Sequence, residues 1–385
     1  MRSRVRELFR ERFGGEPAAV VRAPGRVNLI GEHTDYNEGL VLPCAVDRET
    51  VVAVGPRDDR RFRVFSREWG EERGFDAERL ERGGGWDDYV RGVVFALQER
   101  GIALPGADLA IASEVSPGSG LSSSAALTVG VVTALDRCHA LRLDPVERAR
   151  VAHRAESGFV GVPCGIMDPW ASALGRRDAA LRIDCRSGAV RFVPVPAGRA
   201  GLLVAHSGVA RRLADAGYGD RRGECATALA AARRAGVAPP DARALRDLAE
   251  EDLPALSRVL DAPLLRRVRH VLSENRRVDA AVAALAGGDM AAVGALLREG
   301  QRSLRDDFEV SLPELDALCA IADRHPAVYG SRLTGAGFGG CTLHLCDPDA
   351  AEEVAEALAT GFSDRFGRRP EIQRVRPAPG AGAVE

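Results

Sequence analysis

The chain has 385 residues, 45% hydrophobic and 28% charged, with a formal net charge of -2, a balance that suits a soluble globular protein with room for two cored domains. It has no run of about 20 apolar residues to span a membrane, and no single-sign charge block to suggest a nucleic-acid or membrane-surface partner. All 53 basic residues are arginine, which excludes chemistry that depends on a lysine: the Walker A loop, the protein-kinase strand lysine and the pyridoxal Schiff base.

Residues 1–12 read as a surface helix, with Glu7 and Glu11 among arginines. They lack the apolar stretch of a signal peptide, so a cytoplasmic protein is expected. From 20 to 65, β-branched runs such as 49–54 and 61–65 alternate with Gly, Pro and Asp, the pattern of strands. Among them lies a dense polar cluster, 22–36, where Arg26, Glu32, His33 and Asp35 surround Pro24, Gly25 and Gly31. Leu29, Ile30, Leu40, Val41 and Leu42 flank it and place it near a core. Carboxylates and an imidazole so placed can each fix a hydroxyl by a charge-assisted hydrogen bond. The plainer alternative is a surface turn with solvated charges.

Residues 108–115 form another alternating strand, and 122–141 a buried helix of small and apolar residues. Between them runs Ser116-Pro-Gly-Ser-Gly-Leu-Ser-Ser-Ser-Ala-Ala126. Its glycines let successive N–H groups face one point, and the helix N-terminus adds free donors and a positive dipole end. The result is an anion site that needs no lysine. A serine-capped helix after a flexible turn is the plain reading. Three serines exceed capping needs, however, and a hydroxyl here can ligate Mg²⁺.

Asp144-Pro145 opens the next helix, which carries Glu156. Asp168 follows an apolar Cys-Gly-Ile-Met run and precedes Pro169. It is expected as a helix N-cap with Pro169 at the first helical position. Glu156 and Asp168 can also divide duties, one on Mg²⁺ and one as a base.

A boundary is expected near 175–182, at the charged turn Arg176-Arg177-Asp178, giving domains 1–177 and 178–385. Beyond it, strands at 201–206 and 341–345 bracket alanine-rich amphipathic helices near 223–236, 263–285, 290–305 and 312–325. Both element types in runs, without strict βαβ alternation, argue an α+β fold. Residues 330–342 carry five glycines before a strand. This is either a tight hairpin turn or a place where backbone passes close to another backbone or a ligand. The Pro/Gly/Ala tail, 377–385, is expected to fray. The 8 cysteines are scattered without zinc spacing and read as reduced core thiols.

These clusters, in this order, resemble the galactokinase branch of the GHMP small-molecule kinases. Further matches lie at 86–93, 181–187, 218–225, 267–275 and 303–307, so the resemblance runs from about 22 to 345. It implies a two-domain α+β kinase, with the active site in the cleft between an N-terminal and a C-terminal domain. It also implies ATP- and Mg²⁺-dependent phosphorylation of the C1 hydroxyl of galactose, by a monomer. By the same resemblance, Asp168 is the catalytic carboxylate and Arg26 offsets developing charge beside it. Glu32, His33, Asp35 and Tyr218 hold sugar hydroxyls. Gly118, Ser119, Gly120, Leu121, Ser122, Ser123 and Ser124 cradle the nucleotide phosphates, with Ser124 and Glu156 on Mg²⁺. Trp86 and Tyr89 flank the adenine.

Three departures from the family pattern stand out: Pro169 where Gln is usual, Gln301 where His is common, and Ser331 in place of Ala. Pro169 bears on sugar choice. Related 1-kinases for arabinose, N-acetylgalactosamine or galacturonate are therefore the alternatives within the branch. A non-catalytic galactose sensor is the alternative outside enzymes, although the serine-alanine loop and both acids are intact.

Overall fold

Every strand expected from alternation forms. The computed structural model describes residues 1–115, 118, 120–162, 164–209 and 214–384. In chain order the strands are β1 (Ala19–Asn28), β2 (Leu40–Val41), β3 (Pro43–Pro56), β4 (Arg61–Ser66), β5 (Glu71–Asp76), β6 (Ala107–Ser113), β7 (Ala179–Asp184), β8 (Val190–Pro194), β9 (Gly201–His206), β10 (Val328–Thr334), β11 (Cys341–Cys346), β12 (Glu371–Val375) and β13 (Gly382–Ala383). The α-helices are α1 (Arg2–Phe13), α2 (Asp88–Gln98), α3 (Ser123–His139), α4 (Pro145–Arg154), α5 (Met167–Leu174), α6 (Ala214–Arg234), α7 (Leu253–Leu256), α8 (Ala262–Gly287), α9 (Met290–Asp306), α10 (Pro313–Ala322) and α11 (Ala351–Phe366). Among the described residues no helix is long and apolar enough to cross a membrane, and the 8 cysteines are free thiols.

The chain forms two compact units, and neither is a linear half. One comprises Met1–Arg26, Ala45–Arg177 and Ala378–Glu385; the other comprises Val27–Cys44 and Asp178–Pro377. Two segments therefore depart from the linear split 1–177 and 178–385. Val27–Cys44 joins the second unit because β2 pairs with β7, Leu40 opposite Asp184, and because Asn28 N–H donates to Thr334 Oγ1 at 3.1 Å. The tail is not frayed as expected. Ala378 N–H donates to the Ala45 carbonyl at 2.8 Å and Gly380 N–H to the Gly175 carbonyl at 2.7 Å. β13 then pairs with β1, Ala383 opposite Val21. These partners satisfy backbone groups that a Pro/Gly/Ala composition alone leaves open.

The first unit is built on a six-stranded sheet of order β13-β1-β3-β6-β4-β5. Side chains alternate across a strand. Val52 and Val54 of β3 thus pack with Val93 of α2, Val132 of α3 and Val151 of α4, while Val51 and Ala53 pack against Val5 and Phe9 of α1. Both faces are covered, which explains the unbroken apolar run in β3.

The second unit contains the antiparallel sheet β10-β11-β9-β12 and the small sheet β2-β7-β8. Leu318 of α10 and Leu358 and Phe362 of α11 pack on Leu203 and Ala205 of β9. A separate core joins Val268 and Val271 of α8 to Leu304 of α9 and to Phe308. The Asp261 side chain caps α8 by accepting from Leu264 N–H, and Gly288 ends it in the left-handed conformation. Helices and strands in runs make the fold α+β, as expected.

Candidate active site

In the first unit, β1 brings Arg26 against the glycine loop. A Cβ at Gly25 would come within 2.6 Å of the Leu121 carbonyl oxygen, so only glycine permits this approach. Arg26 N–H donates to that carbonyl at 2.9 Å, and Arg26 Nη1 donates to the Gly120 carbonyl at 2.8 Å. The rest of the buried guanidinium meets Asp168, Nε to Oδ1 at 2.7 Å and Nη2 to Oδ2 at 2.6 Å. Ser122 Oγ also donates to Asp168 Oδ2. The Asp168 side chain keeps 28% of its surface exposed, so the carboxylate is held firmly and yet can be reached.

Asp168 is not the N-cap expected from Asp-Pro. α5 starts at Met167, Ile166 precedes it, and Trp170 N–H donates to the Ile166 carbonyl. Pro169 therefore stands third in the helix. That is still within the first turn, where a missing N–H costs no intrahelical bond. The pairing with Arg26 and Ser122, made by tertiary structure, takes the carboxylate away from the helix backbone.

Gly118 and Gly120 have positive φ of 78°, and Ser122 adopts φ 59° immediately before α3. A non-glycine residue so held is a strained position of the kind found at functional sites. Ser123 and Ser124 begin α3, whose first N–H groups have no intrahelical partner. Ser119 lies outside the described residues.

Glu156 is buried where α4 widens into a π-helical turn, Ala155–Val160. Thr128 Oγ1 donates to its Oε1 at 3.0 Å, and Ser124 is its other hydroxyl partner. Burial pushes the Glu156 carboxyl up to about 7, against these two hydrogen bonds. A hard cation beside Ser124 and Glu156 would relieve that cost, so these residues suit Mg²⁺.

A cavity of about 280 Å³ reaches Ser123 and Ser124 and is walled by Trp69, Trp86, Tyr89, Ile111 and Leu127. Trp86 Nε1 donates to Glu71 Oε1 at 2.9 Å, which fixes the indole. Trp69 is 55% exposed. Two indoles on an apolar cavity that ends at a helix N-terminus suit a planar base joined to phosphates.

The remaining candidates fall in the second unit. Glu32, His33 and Asp35 lie on the loop before β2, and Tyr218 lies on α6. The His33 ring is 5.6 Å from that of Tyr218 and 4.7 Å from that of Phe308, and Tyr36 meets Tyr218 at 5.2 Å. Burial is the main cause that lowers His33 to about 3, so the ring is neutral. Its Nε2–H donates to the Ala336 carbonyl at 3.1 Å, and Nδ1 accepts from the Tyr36 hydroxyl at 2.9 Å. Both ring nitrogens are thereby engaged within the protein, and the His33 ring shapes the loop.

The glycine motif is the β10–β11 hairpin, Thr334 opposite Cys341. It is also a close approach, since a Cβ at Gly337 would lie 2.3 Å from the Val310 carbonyl. Both readings of this segment therefore hold. The Glu274 carboxyl, although burial pushes it up, is held well below the usual carboxylate range by Arg332 and Arg277.

Residues 7–56 match the galactokinase galactose-binding signature, 88–176 the GHMP kinases N terminal domain and 281–364 the GHMP kinases C terminal. The chain is 47% identical to the galactokinase of Roseiflexus sp. (strain RS-1), over 99% of its own length and 96% of that protein's. It belongs to the galactokinase family. It is also 46% identical to the galactokinase of Chloroflexus aggregans, with the same coverage. Its fold matches the crystal structure of Lactococcus lactis galactokinase complexed with galactose at TM-score 0.93 and 31% identity, covering 99% of both chains. A Methanococcus jannaschii mevalonate kinase shares the fold at TM-score 0.67 and 16% identity, over 93% of this chain and 98% of that one.

Sequence reasoning did not single out Tyr36, Trp69, Ser122 as a partner of Asp168, or Arg332. Tyr36 closes the 22–36 cluster, and Arg332 lies in the glycine motif as an arginine within a buried strand. A cation at such a position demands a buried anion. That was the one signal available.

Proposed function

We propose that this chain transfers the γ-phosphoryl group of ATP to the C1 hydroxyl of galactose. The observation that carries the reading is Asp168, gripped by Arg26 through both carboxylate oxygens, touched by Ser122 and left reachable beside the N-terminus of α3. Phosphoryl transfer asks a protein for positioning and charge neutralisation. Asp168 accepts the proton of the attacking hydroxyl, and Arg26 supplies the fixed cation that a lysine provides in other kinases. The loop from Gly118 to Ser124 and the α3 dipole hold the phosphates. Ser124 and Glu156 hold Mg²⁺, which when bound neutralises phosphate charge. Trp86 and Tyr89, with Trp69 lining the same cavity, take the base. Glu32, Asp35 and Tyr218 hold sugar hydroxyls, while His33 props Tyr36 and Tyr218 in place.

The test is ADP release across galactose, arabinose, N-acetylgalactosamine and galacturonate. Galactose is expected to lead in kcat/KM by about tenfold or more, the order of one hydrogen bond's net contribution. A different leading sugar, or no turnover with any of them, overturns the reading.

A further inference from the structure

The sheet of the first unit changes character at one end of the face that packs against α2, α3 and α4. Val54 and Val52 of β3, Leu109 and Ile111 of β6, and Phe62 and Val64 of β4 belong to the core on that face. Two residues beyond them in each strand, on the same face, stand Thr50, Ser113 and Ser66. Thr50 is opposite Ser113, and Ser66 is opposite Ile111, so three adjacent strands turn from apolar side chains to hydroxyls in one region. All three hydroxyl residues line the cavity of about 280 Å³ that Trp86 and Tyr89 wall.

Two of these hydroxyls are occupied within the protein. Thr50 Oγ1 and Ser113 Oγ are bonded at 2.8 Å. Ser113 Oγ also accepts from Val115 N–H at 3.0 Å and lies 3.2 Å from the Val115 carbonyl. Ser66 differs. The residue is only 4% exposed, yet its hydroxyl has no hydrogen bond within the described residues. A buried hydroxyl left in this state is costly unless a ligand meets it. Across β4 and β5 its partner on the same face is Glu71, which anchors Trp86 Nε1 at 2.9 Å. Ser66 thus lies one strand spacing from the group that fixes the indole.

We propose that Ser66 selects the base of the nucleotide, its free hydroxyl accepting a hydrogen bond from the exocyclic amino group of adenine. Aromatic walls discriminate poorly between flat bases, because every base has a π-face to stack. A hydroxyl without an internal partner gives up nothing when an amino group arrives, and is left unpaired by a base that lacks one. Glu68, two residues on, lines the same cavity. Its carboxylate can only accept, which favours an amino-bearing edge over a keto oxygen. This inference rests on the proposal that the cavity takes the base.

The experiment titrates the full-length wild type, Ser66→Ala, Ser66→Thr and Trp86→Ala by calorimetry with ATP and with purine riboside triphosphate, which lacks only the 6-amino group. KM for galactose at saturating ATP is measured in parallel. The wild type should bind ATP about tenfold more tightly than the analogue, the order of one hydrogen bond. Ser66→Ala should reduce that ratio to about twofold or less, by weakening ATP and not the analogue, while Ser66→Thr keeps the hydroxyl and should hold the ratio above about fivefold. KM for galactose should stay within about twofold in both Ser66 variants. A wild-type ratio near one, or an unaltered ratio in Ser66→Ala, overturns the inference. Equal weakening of both nucleotides in Ser66→Ala marks the residue as shaping the cavity only, and overturns it too. Trp86→Ala separates the two readings. If it weakens both nucleotides, the cavity stands as the base site whatever Ser66 does. If it alters neither, the base binds elsewhere and the inference about Ser66 falls with that reading.

Discussion

The Arg26 guanidinium meets the Asp168 carboxylate edge to edge, with donor–acceptor distances of 2.7 and 2.6 Å, and the same guanidinium holds the Gly120 carbonyl at 2.8 Å. One arginine therefore ties the proposed base to the proposed phosphate loop, so the two are placed relative to each other by a single rigid fork.

Replacing Asp168 by Asn keeps the shape and removes the proton acceptor. The expected result is a fall in kcat of about 10²-fold or more, with galactose binding retained within about tenfold. Steady-state kinetics together with a direct galactose titration decide it. Near wild-type turnover in the Asn variant would remove Asp168 from the chemistry.

Glu156 offers a contrast between function and stability. Its charge is costly in its buried position, so Glu156→Gln should leave the melting temperature without Mg²⁺ unchanged or higher. The same substitution, and Ser124→Ala, should raise the Mg²⁺ concentration for half-maximal activity by about tenfold, because each removes a hard oxygen ligand. Activity titrated with Mg²⁺ is the measurement. An unaltered requirement in both variants counts against the metal assignment.

Trp86 is held by Glu71 on one wall of the cavity beside Ser123 and Ser124. Trp86→Ala should raise KM for ATP by about tenfold, the order of one lost base–aromatic stack, and leave KM for galactose within about twofold. Separate saturation curves for the two substrates test the split. Unaltered KM for ATP would take Trp86 out of the nucleotide site.

His344 lies in the second unit, hydrogen-bonded to Thr342 at 2.8 Å and Ser331 at 2.9 Å. Burial lowers it to about 3. Its unfolded form takes up a proton below about 6.5, while the folded form does not until near 3, so its contribution is present above pH 6.5 and lost as pH falls. At pH 5.5 that loss is about 1.4 kcal/mol. His344→Gln should be less stable than wild type at pH 7.5, and the gap should narrow by about that amount at pH 5.5. Urea unfolding at the two pH values measures it, and a constant gap would mean His344 is not kept neutral by the fold.

Much of this protein was decided locally and could be read from residues. The alternation in 49–54 and 61–65 specifies strands because a pleated chain turns successive side chains to opposite faces. Asp144-Pro145 opens α4 because the side chain of Asp144 accepts from Glu147 N–H. The glycine-serine loop before an apolar helix is the local pattern from which a phosphate site is proposed, since it rests on backbone geometry. Other features depend on residues far apart in the chain, and only the tertiary structure decided them. The linear split could not assign Val27–Cys44 or the tail, because their backbone partners lie in distant segments such as β7 and β1. Asp168 read as a cap since Asp-Pro has that local preference, but Arg26, 142 residues away, offers a stronger partner. Arg332 had no local meaning at all. Its burial is balanced by two buried carboxylates, supplied by a loop and by a helix that the sequence places 242 residues apart, from Glu32 to Glu274 (274 − 32).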